Sequence, residues 1–244
     1  MRSRAKLSYD GVARALGMTD APERDPAAEA MKEDLALLRE ISSMLRKRRM
    51  QRGALDLEVP EVQVKVDYDT RMPISIDRRA RDPGIAKAYQ IVEELMLLAN
   101  ECVAQALIER EAPTVFRVHA QPDSEKIQRF AAMCEKLGVP FDPEDAADPQ
   151  KLSEFAKKLR DHDDRPILDA LLVRSLKQAV YDTNNIGHFG LASDAYVHFT
   201  SPIRRYPDLL VHRAVRKLCR KQRIDKSEVA VEALQNAAVS ASER

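Results

Sequence analysis

The sequence predicts a mixed α/β fold that is rich in helix, and three observations lead to this prediction. Apolar residues recur at helical spacing over long segments, at 26–52, 85–110 and 205–220. Short runs such as VQVKV, at 62–66, alternate with the period of a β-strand. The chain has only 7 glycines, and they stand near the boundaries of these segments, where a chain changes direction.

The first half of the chain is predicted to contain two long helices and a hairpin. The first helix spans 26–52, has Gly53 as its expected C-terminal cap, and carries an apolar stripe made of Met31, Leu35, Leu38, Ile41 and Leu45. VQVKV can pair with MPISI (72–76) across the turn DYDTR as a hairpin. The second long helix is predicted over 85–110.

The second half is predicted to alternate short strands with helices. TVFRVH (114–119) forms a strand, Asp123 caps a helix that ends before Gly138, and 141–149 is a loop. The segment 166–182 is apolar on a broad face and is therefore expected to be a mostly buried helix. The remaining expected elements are a helix at 149–161, two short strands around the turn LASDA within 186–199, a helix at 205–220, and a last helix. That last helix opens with Asp225 and Glu228 in capping-box spacing and still has a helical pattern at Arg244.

The composition is that of an ordinary soluble globular protein, with 44% hydrophobic and 32% charged residues. No run approaches the ~18 apolar residues of a membrane span, and no apolar segment follows the basic N-terminus as in a secretory signal. Cys102, Cys134 and Cys219 are widely spaced and odd in number, which predicts reduced thiols in a cytoplasmic protein. The net charge of +1 gives no global basic field, so a nucleic-acid site would need a local concentration of charge.

The stretch HFTSPIRRYPDLLVHR, residues 198–213, is such a local concentration. Arg204 and Arg205 stand just ahead of a predicted helix N-terminus, whose free N–H groups and positive partial charge favour a phosphate. The alternative is that the two arginines only cap acidic neighbours such as Asp208. The planar side chains of His198, Phe199 and Tyr206 favour the first interpretation, because single-stranded nucleic acid needs stacking groups beside phosphate donors.

Other polar residues carry weaker signals. Glu93 and Asn100 share a face of the second long helix and are candidates for holding ribose hydroxyls, although a solvated helix edge explains them as well. DHDDR (161–165) gathers three carboxylates and His162 before a helix start, where acidic residues serve as caps more often than as metal ligands. His188 is expected to be a core histidine. The sequence shows no P-loop, GxGxxG or HExxH motif.

The longest recognisable text is YDTNNIGHFGLASDAYVHFTSPIRRYPDLLVHRAV, residues 181–215. It resembles the C-terminal half of the catalytic domain of the ribonuclease II family, and the ribonuclease R branch most closely. RSRAKLSY (2–9), RRMQRGALDLEVPE (48–61) and IVEELMLLANECVA (91–104) agree with the same family in the same order. The resemblance covers essentially all 244 residues and implies that 1–244 is the C-terminal portion of an RNB-type exoribonuclease catalytic domain.

The resemblance implies an activity and a set of roles. Members of the family are processive 3′→5′ hydrolytic exoribonucleases that act on single-stranded RNA with Mg²⁺ and release nucleoside 5′-monophosphates. By this resemblance Tyr9 lies near the scissile phosphate, Arg204 grips the phosphate at the cleavage point, and Glu243 lies near the active site. Glu93 matches a glutamate that contacts the terminal nucleotides.

Two departures from the family pattern affect these expectations. Leu57 stands where family members usually have an aromatic residue that clamps the terminal base. The family's catalytic aspartates belong to text upstream of RSRAKLSY, and no acidic residue of this chain matches them; cold-shock and S1 domains are also not matched. Two-metal hydrolysis needs several converging carboxylates. The chain alone is therefore expected to lack the Mg²⁺ ligands and to be inactive, and the upstream half of the domain is an expected partner.

Two function classes remain open on the sequence. The first is a 3′→5′ exoribonuclease of the ribonuclease R type, with RNA as partner and no membrane. The second is a non-catalytic RNA-binding or scaffold remnant of such an enzyme. A clustered-aspartate segment encoded in frame upstream would discriminate between them. A purely structural helical protein would require the match over 181–215 to be accidental.

Overall fold

A computed structural model of the chain describes residues 3–20, 22, 24–57, 62–78 and 82–243. Within these ranges it confirms the mixed, helix-rich α/β class. Parts of two family-like stretches, at Arg2 and at 58–61, and the predicted helical end at Arg244 lie outside the described residues. The elements are α1 (Tyr9–Ala15), α2 (Pro26–Ala30), α3 (Lys32–Gln51), β1 (Val62–Val66), β2 (Pro73–Arg78), α4 (Pro83–Ile108), β3 (Phe116–Val118), α5 (Ser124–Lys136), α6 (Pro149–Lys158), α7 (Arg165–Ser175), β4 (Val180–Asp182), α8 (Tyr206–Cys219) and α9 (Glu228–Ser242).

The chain divides into two compact units, residues 1–47 with 58–95 and residues 48–57 with 96–244. The first unit packs α1, α2, α3 and the start of α4 around one apolar cluster whose buried members include Val12, Leu35 and Ile91. Ser8 begins α1 by accepting a hydrogen bond from the Gly11 amide, and Asp25 caps α2 through the amides of residues 27 and 28. These caps satisfy backbone donors that a helix start leaves without partners.

The predicted hairpin in the first unit is confirmed. Strands β1 and β2 are antiparallel, with Val64 opposite Ile76 and Val66 opposite Pro73. The turn is held by Asp67, whose Oδ1 accepts hydrogen bonds from the amides of Asp69 and Thr70 at 2.8 and 2.9 Å. These amides lower the pKa of the Asp67 carboxyl, with the Thr70 amide contributing most.

The second unit contains two packed regions. In the first region, α5, α6 and α7 enclose a cluster in which the rings of Phe130, Phe141 and Phe155 contact one another. In the second region, the second half of α4, strand β3 and helix α8 enclose buried residues such as Val118, Val197 and Val211. Helix α9 packs beside this region, on Val115 and on Tyr181 of β4. The predicted cap of α5 is confirmed, since Asp123 accepts a hydrogen bond from the Lys126 amide.

Gly53 shows why α3 ends where the sequence predicts. Its φ of +100° is a conformation that residues with a Cβ rarely adopt, and a Cβ built there would stand 2.5 Å from the backbone nitrogen of Gln150. The start of α6 therefore packs directly against the end of α3. Gln150 also donates from its amide side chain to the Gln51 carbonyl at 3.0 Å.

The predicted helix over 166–182 is wrong in its second half. Helix α7 ends at Ser175, where Leu176 turns to an extended conformation, and Val180–Asp182 forms β4 against β3. The apolar residues near 180 continue the helical spacing of the preceding segment in the sequence. They belong to a strand because β3 needs a partner for its backbone hydrogen bonds.

The two strands predicted within 186–199 are also wrong. The segment makes only isolated bridges, from His188 to His119 and to Ser193, and a short 3-10 turn at Phe189–Leu191. Ala192 then adopts a left-handed conformation with φ of +48°, which ends any regular pairing.

Three smaller differences concern boundaries. The first predicted helix is interrupted at Met31, whose side chain packs with the first unit's apolar cluster, and residues 143–147 of the expected loop form a 3-10 turn. Helix α9 is capped by Ser227, whose hydroxyl accepts from the Ala230 amide, rather than by a box of Asp225 and Glu228. Among the described residues, no helix is both long enough and apolar enough to cross a membrane.

Candidate functional site

The turn ahead of α8 is the centre of the candidate site. The carbonyl of Ser201 accepts hydrogen bonds from the amides of Arg204 and Arg205 at 3.4 and 3.3 Å. The amide of Ser201 itself donates to Oδ1 of Asp208 at 2.7 Å. Asp208 belongs to the first turn of α8, so its carboxylate fixes the turn to the helix that follows it.

Arg205 forms a buried ion pair with Asp208. Its Nη2 donates to Oδ1 at 2.7 Å, and the Asp208 side chain has no solvent exposure. Within the described residues, Nε of Arg205 and Oδ2 of Asp208 have no hydrogen-bond partner. The sequence left open the alternative that an arginine only caps Asp208. The structure shows this arrangement for Arg205.

Arg204 has a different environment. The residue is exposed, and its Nε donates to the hydroxyl of Ser201 at 2.9 Å. That bond orients the guanidinium while its terminal nitrogens make no hydrogen bond to any described residue. Ile203, beside it, is fully exposed, and Tyr206 is half-exposed. The turn thus presents one oriented cation between two apolar side chains.

A groove of about 460 Å³ lies next to this turn. One wall is the start of α8 and the other is the second half of α9; its lining residues are Tyr181, Arg204, Arg205, Tyr206, Pro207, Ala237, Ser240 and Ala241. The small side chains of α9 leave room beside the arginines. Three of the residues predicted for the site, Arg204, Arg205 and Tyr206, are brought together here.

His198 lies behind the groove. Its Nδ1 is 2.8 Å from the hydroxyl of Tyr181, and Arg117 stands over the Tyr181 ring with 4.5 Å between the guanidinium carbon and the ring centroid. Burial, and then the charge of Arg205, lower the pKa of His198 to about 4. The imidazole is therefore neutral near pH 7 and adds no positive charge to the site.

Phe199 and Asn100 make internal contacts. The ring of Phe199 stacks on His212 with 4.0 Å between centroids, and the His212 Nε2 is 2.8 Å from the Phe199 carbonyl. Asn100 accepts from the Phe199 amide at 3.0 Å and donates to the Tyr196 hydroxyl at 2.8 Å. Asn100 is buried, so both ends of its amide are used within the second unit.

Two predicted residues belong to the first unit. Tyr9, at the start of α1, stacks on Tyr89 with 3.7 Å between ring centroids. Glu93 is an exposed residue of α4, whereas its neighbour Glu94 is buried and lies 3.8 Å from the guanidinium of Arg46. The carboxylate of Glu93 is therefore the one that solvent reaches.

Leu57 and Glu243 complete the predicted set. Leu57 is partly buried and packs against the apolar cluster enclosed by α5, α6 and α7. Glu243 is the exposed C-terminal cap of α9. It follows Ser242, whose hydroxyl accepts a hydrogen bond from the Tyr181 amide at 2.8 Å, so it is held at the α9 end that walls the groove.

Sequence reasoning missed Tyr181, the wall formed by α9, and the exposed Ile203. Tyr181 was assigned to the end of a helix, and small residues such as Ala237 and Ala241 are typical of any helix interior. Ile203 offered no signal in the sequence either, because single apolar residues are commonly exposed on protein surfaces.

Comparison with known proteins identifies the family to which the chain belongs. The model of the RNB domain matches residues 1–221. The chain belongs to the RNB family. The ribonuclease R of Thermotoga maritima is 39% identical over 217 residues, which is 88% of this chain and 29% of that protein. The chain thus resembles ribonucleases R, and it spans less than a third of the length of the curated relatives it matches.

Solved structures agree with this RNB assignment. The structure of Mycoplasma genitalium RNase R in complex with ribose-methylated single-stranded RNA superimposes with a TM-score of 0.83 at 28% identity, covering 97% of this chain and 36% of that one. Yeast Ssd1, described as a pseudonuclease, has a TM-score of 0.65 at 19% identity over 97% of this chain and 28% of its own. The fold alone therefore does not decide activity.

The RNB resemblance implies a divalent metal, which the described residues do not fit. Nowhere in the ranges given above do three His, Cys, Asp or Glu side chains converge as metal ligands. In the acidic loop at 161–164, Nδ1 of His162 instead accepts a hydrogen bond from the Asp164 amide at 3.1 Å. The described residues therefore do not form the metal centre of a hydrolytic reaction by themselves.

Proposed function

We propose that the chain is part of the catalytic domain of a 3′→5′ hydrolytic exoribonuclease of the ribonuclease R type. The proposed enzyme acts on single-stranded RNA in the cytoplasm and releases nucleoside 5′-monophosphates. The RNB match, the ribonuclease R relatives and the RNA-bound RNase R of similar fold support this proposal. The observation that carries it is the arrangement of the two adjacent arginines, one buried in an ion pair and one oriented toward solvent.

The arrangement suits a phosphate at the 3′ end of an RNA strand. Arg204 is fixed at Nε by Ser201, so its two terminal nitrogens can donate together to phosphate oxygens with little ordering cost. Arg205 keeps the turn rigid through its ion pair with Asp208. Tyr206 and Ile203 offer exposed apolar surface on which the neighbouring bases can pack.

The other predicted residues receive roles that rest on the resemblance. Tyr9 and Glu93, both accessible in the first unit, are proposed to act at the scissile phosphate and the terminal nucleotides. Glu243 is proposed to approach the reaction centre from the end of α9. His198 and Phe199 are proposed to support RNA binding indirectly, through Tyr181 and His212.

Leu57 is proposed to replace the terminal-base clamp of the family with an aliphatic contact. Its partly buried side chain rests on an apolar cluster, so it can offer one edge to a base but cannot stack as an aromatic ring does. Weaker holding of the terminal base is the expected consequence.

Magnesium is proposed to be held by carboxylates that are not among the described residues. Hydrolysis with two metals needs several carboxylates that converge on ions about 4 Å apart, and the described donor set does not supply them. We propose that residues 1–244 are completed by an aspartate-bearing half of the RNB domain. On this proposal the 244-residue chain alone binds RNA and leaves it uncut.

The test is a binding and turnover experiment on Arg204. Arg204→Ala should weaken binding of a labelled single-stranded oligonucleotide about ten- to hundredfold, as expected for the loss of ~1.5–3 kcal/mol in charge-assisted hydrogen bonds. Arg204→Lys should recover only part, because an ammonium lacks the fork geometry. Arg174→Ala, an exposed arginine of α7, is the matched control. Wild-type affinity in Arg204→Ala would contradict the phosphate role.

The same variants decide whether the protein is an enzyme. Co-expression with the aspartate-bearing half of a ribonuclease R domain should yield a complex that releases nucleoside 5′-monophosphates in Mg²⁺, and Arg204→Ala should slow that release. The second candidate function is a non-catalytic RNA-binding scaffold, which the lack of a fitting donor set among the described residues favours. A folded complex that binds RNA without any release would establish this second function.

A further inference from the structure

A groove of about 790 Å³ opens where α8 ends and the chain leads into α9. It lies between the end of α4 and the connection from α8 to α9, and both belong to the second unit. Helix α8 has 14 residues and is about 21 Å long, so this groove is well separated from the candidate site at the start of the same helix. We call it the distal groove; its lining residues are Arg110, Leu218, Gln222, Arg223, Ile224, Asp225, Lys226 and Ser227.

The floor of the distal groove is apolar and fixed in place. Leu218 and Ile224 are partly exposed, and both pack against the apolar cluster enclosed by α4, β3 and α8. Between them the chain turns at Lys221, which has a left-handed φ of +53°. The Gln222 amide then donates to the Lys217 carbonyl at 2.9 Å, as in a Schellman motif. The connection is therefore held in one shape as it leaves α8.

The rim of the distal groove is basic. The segment 216–226 contains a single carboxylate, that of Asp225, and six cations, namely Arg216, Lys217, Arg220, Lys221, Arg223 and Lys226. The helix dipole accounts for the cations in the last turn of α8, but Arg223 lies beyond the end of that helix. Arg223 is exposed and makes no hydrogen bond or ion pair with any described residue. Its guanidinium is therefore available to a ligand.

The end of α4 brings a second arginine and a carboxylate to the rim. Arg110 is exposed, and its Nη1 donates to the Ala106 carbonyl at 3.3 Å, which holds the guanidinium at the end of α4. Its neighbour Glu111 accepts a hydrogen bond from Nζ of Lys226 at 2.9 Å. This hydrogen bond lowers the pKa of the Glu111 carboxyl, although an exposed pair of this kind contributes little to stability. A carboxylate thus already lies beside the groove, against one of the cations that line it.

The residues of the distal groove favour an acidic protein segment over RNA. None of the described residues that line it is aromatic, whereas binding of single-stranded RNA relies on stacking platforms. Asp225 and Glu111 would repel a continuous row of phosphates, but carboxylates spaced along a peptide can lie between them. Arginines bind carboxylates through paired hydrogen bonds, and the apolar floor suits aliphatic side chains placed between those carboxylates.

We propose that the distal groove is a docking site for an acidic protein segment in which apolar residues stand between aspartates and glutamates. Carboxylates of the segment pair with Arg110 and Arg223, and its apolar side chains pack on Leu218 and Ile224. The groove and the candidate site lie at opposite ends of α8, so a docked segment leaves Arg204 accessible. The inference does not depend on the proposed function, and it concerns attachment of the protein to a partner and not the reaction.

The experiment titrates the 244-residue chain with two fluorescein-labelled dodecapeptides. The leucine peptide is made of aspartate and glutamate with leucine at every third position, and the serine peptide has serine in place of each leucine. The groove variant of the protein carries Arg110→Gln and Arg223→Gln. The control variant carries Arg129→Gln and Arg174→Gln, which remove the same charge from exposed positions on α5 and α7. All four substitutions are at exposed residues, so both variants should melt at the wild-type temperature.

The leucine peptide should bind the groove variant at least tenfold more weakly than wild type and the control variant within twofold of wild type. Wild type should bind the leucine peptide at least tenfold more tightly than the serine peptide, because only leucine covers the apolar floor. Added salt should weaken binding to wild type more than binding to the groove variant, since the two arginine pairs are screened. Arg204→Ala should bind the leucine peptide as wild type does, because Arg204 does not line the distal groove.

Other outcomes overturn the inference. A leucine peptide that does not bind wild type, or that binds the groove and control variants equally, would mean that the groove does not recognise carboxylates. Equal affinities of wild type for the two peptides would leave only attraction between net charges. An RNA dodecanucleotide that displaces the leucine peptide from wild type, and that binds the groove variant at least tenfold more weakly than the control variant, would assign the distal groove to RNA.

Discussion

The buried ion pair beneath the candidate site allows a sharp stability prediction. Asp208→Asn keeps the shape of the side chain and the acceptor for the Ser201 amide, but it removes the negative charge. Arg205, whose side chain is 20% exposed, would then carry a charge with no partner in a poorly solvated place. We expect the free energy of unfolding of the second unit to fall by about 3 kcal/mol.

The magnitude follows from the geometry. Two charges about 4 Å apart attract by about 4 kcal/mol at an effective dielectric constant of about 20. The asparagine oxygen retains part of the hydrogen bond to the guanidinium, which offsets about 1 kcal/mol. Because Oδ2 of Asp208 has no hydrogen-bond partner among the described residues, the pair is imperfect, and the loss should fall near the lower end of the ~3–5 kcal/mol typical of broken buried pairs.

The assay combines urea unfolding with hydrogen exchange of the α8 amides, which reports on the second unit directly. Asp194→Asn, at an exposed aspartate of the same unit, is the matched control and should change stability by less than about 0.5 kcal/mol. Adding Arg205→Met to Asp208→Asn should restore stability relative to the single variant, because it removes the uncompensated charge. An Asp208→Asn protein as stable as wild type, or additive losses in the double variant, would refute the reasoning.

Two further predictions concern acid and backbone strain. Burial, followed by the charge of His119, lowers the pKa of His188 to about 3, and burial, followed by Arg205, lowers that of His198 to about 4. Both values lie below the ~6.5 of an unfolded histidine, so the unfolded state binds protons first as the pH falls. Stability should be complete above about pH 7.5 and decline below it, by about 3 kcal/mol for the two groups together at pH 5.5. Urea unfolding at pH 7.5 and 5.5 measures this loss of stability. His198→Gln should remove about half of the difference in stability between the two pH values. Equal stability at both pH values would contradict the prediction. Gly53→Ala should lower the free energy of unfolding by more than about 2 kcal/mol, because the new Cβ would stand 2.5 Å from the Gln150 nitrogen at a φ of +100°. Gly17→Ala is the control for the effect of φ alone, since Gly17 has a φ of +65° and nothing lies within 4 Å of its new Cβ. Equal losses of stability in the two variants would contradict the close approach.

Elements that carry their own local signals were predictable from the sequence. Helix α5 has Asp123 as its cap and apolar residues at helical spacing, and α8 has a proline in its first turn. The ends of both helices were therefore predicted to within a few residues. The hairpin β1–β2 likewise follows from two alternating runs around a turn whose Asp67 binds its own backbone. In each of these cases the determining contacts lie close together along the chain.

Elements that depend on distant partners were not predictable. Nothing near Val180 marks it as a strand; it pairs with Val118, 62 positions away in sequence. The candidate site shows the same contrast. Arg204 and Tyr206 could be predicted from one stretch of sequence, whereas the α9 wall of the groove depends on α9 packing beside the start of α8, which no local pattern indicates. The protonation state of His198 could not be judged from the sequence either, because its neutrality results from burial beside Tyr181.

The contact between Ser242 and Tyr181 has a consequence for how the protein is made. The hydroxyl of Ser242 accepts from the Tyr181 amide, and Gln235 accepts from the Thr183 amide at 3.1 Å, so two turns of α9 fasten the strand that floors the groove. During synthesis the arginines of the α8 turn leave the ribosome well before those two anchors do. A nascent chain therefore has a basic, incompletely walled turn until α9 has emerged, and RNA held there in that interval would meet only half of the groove.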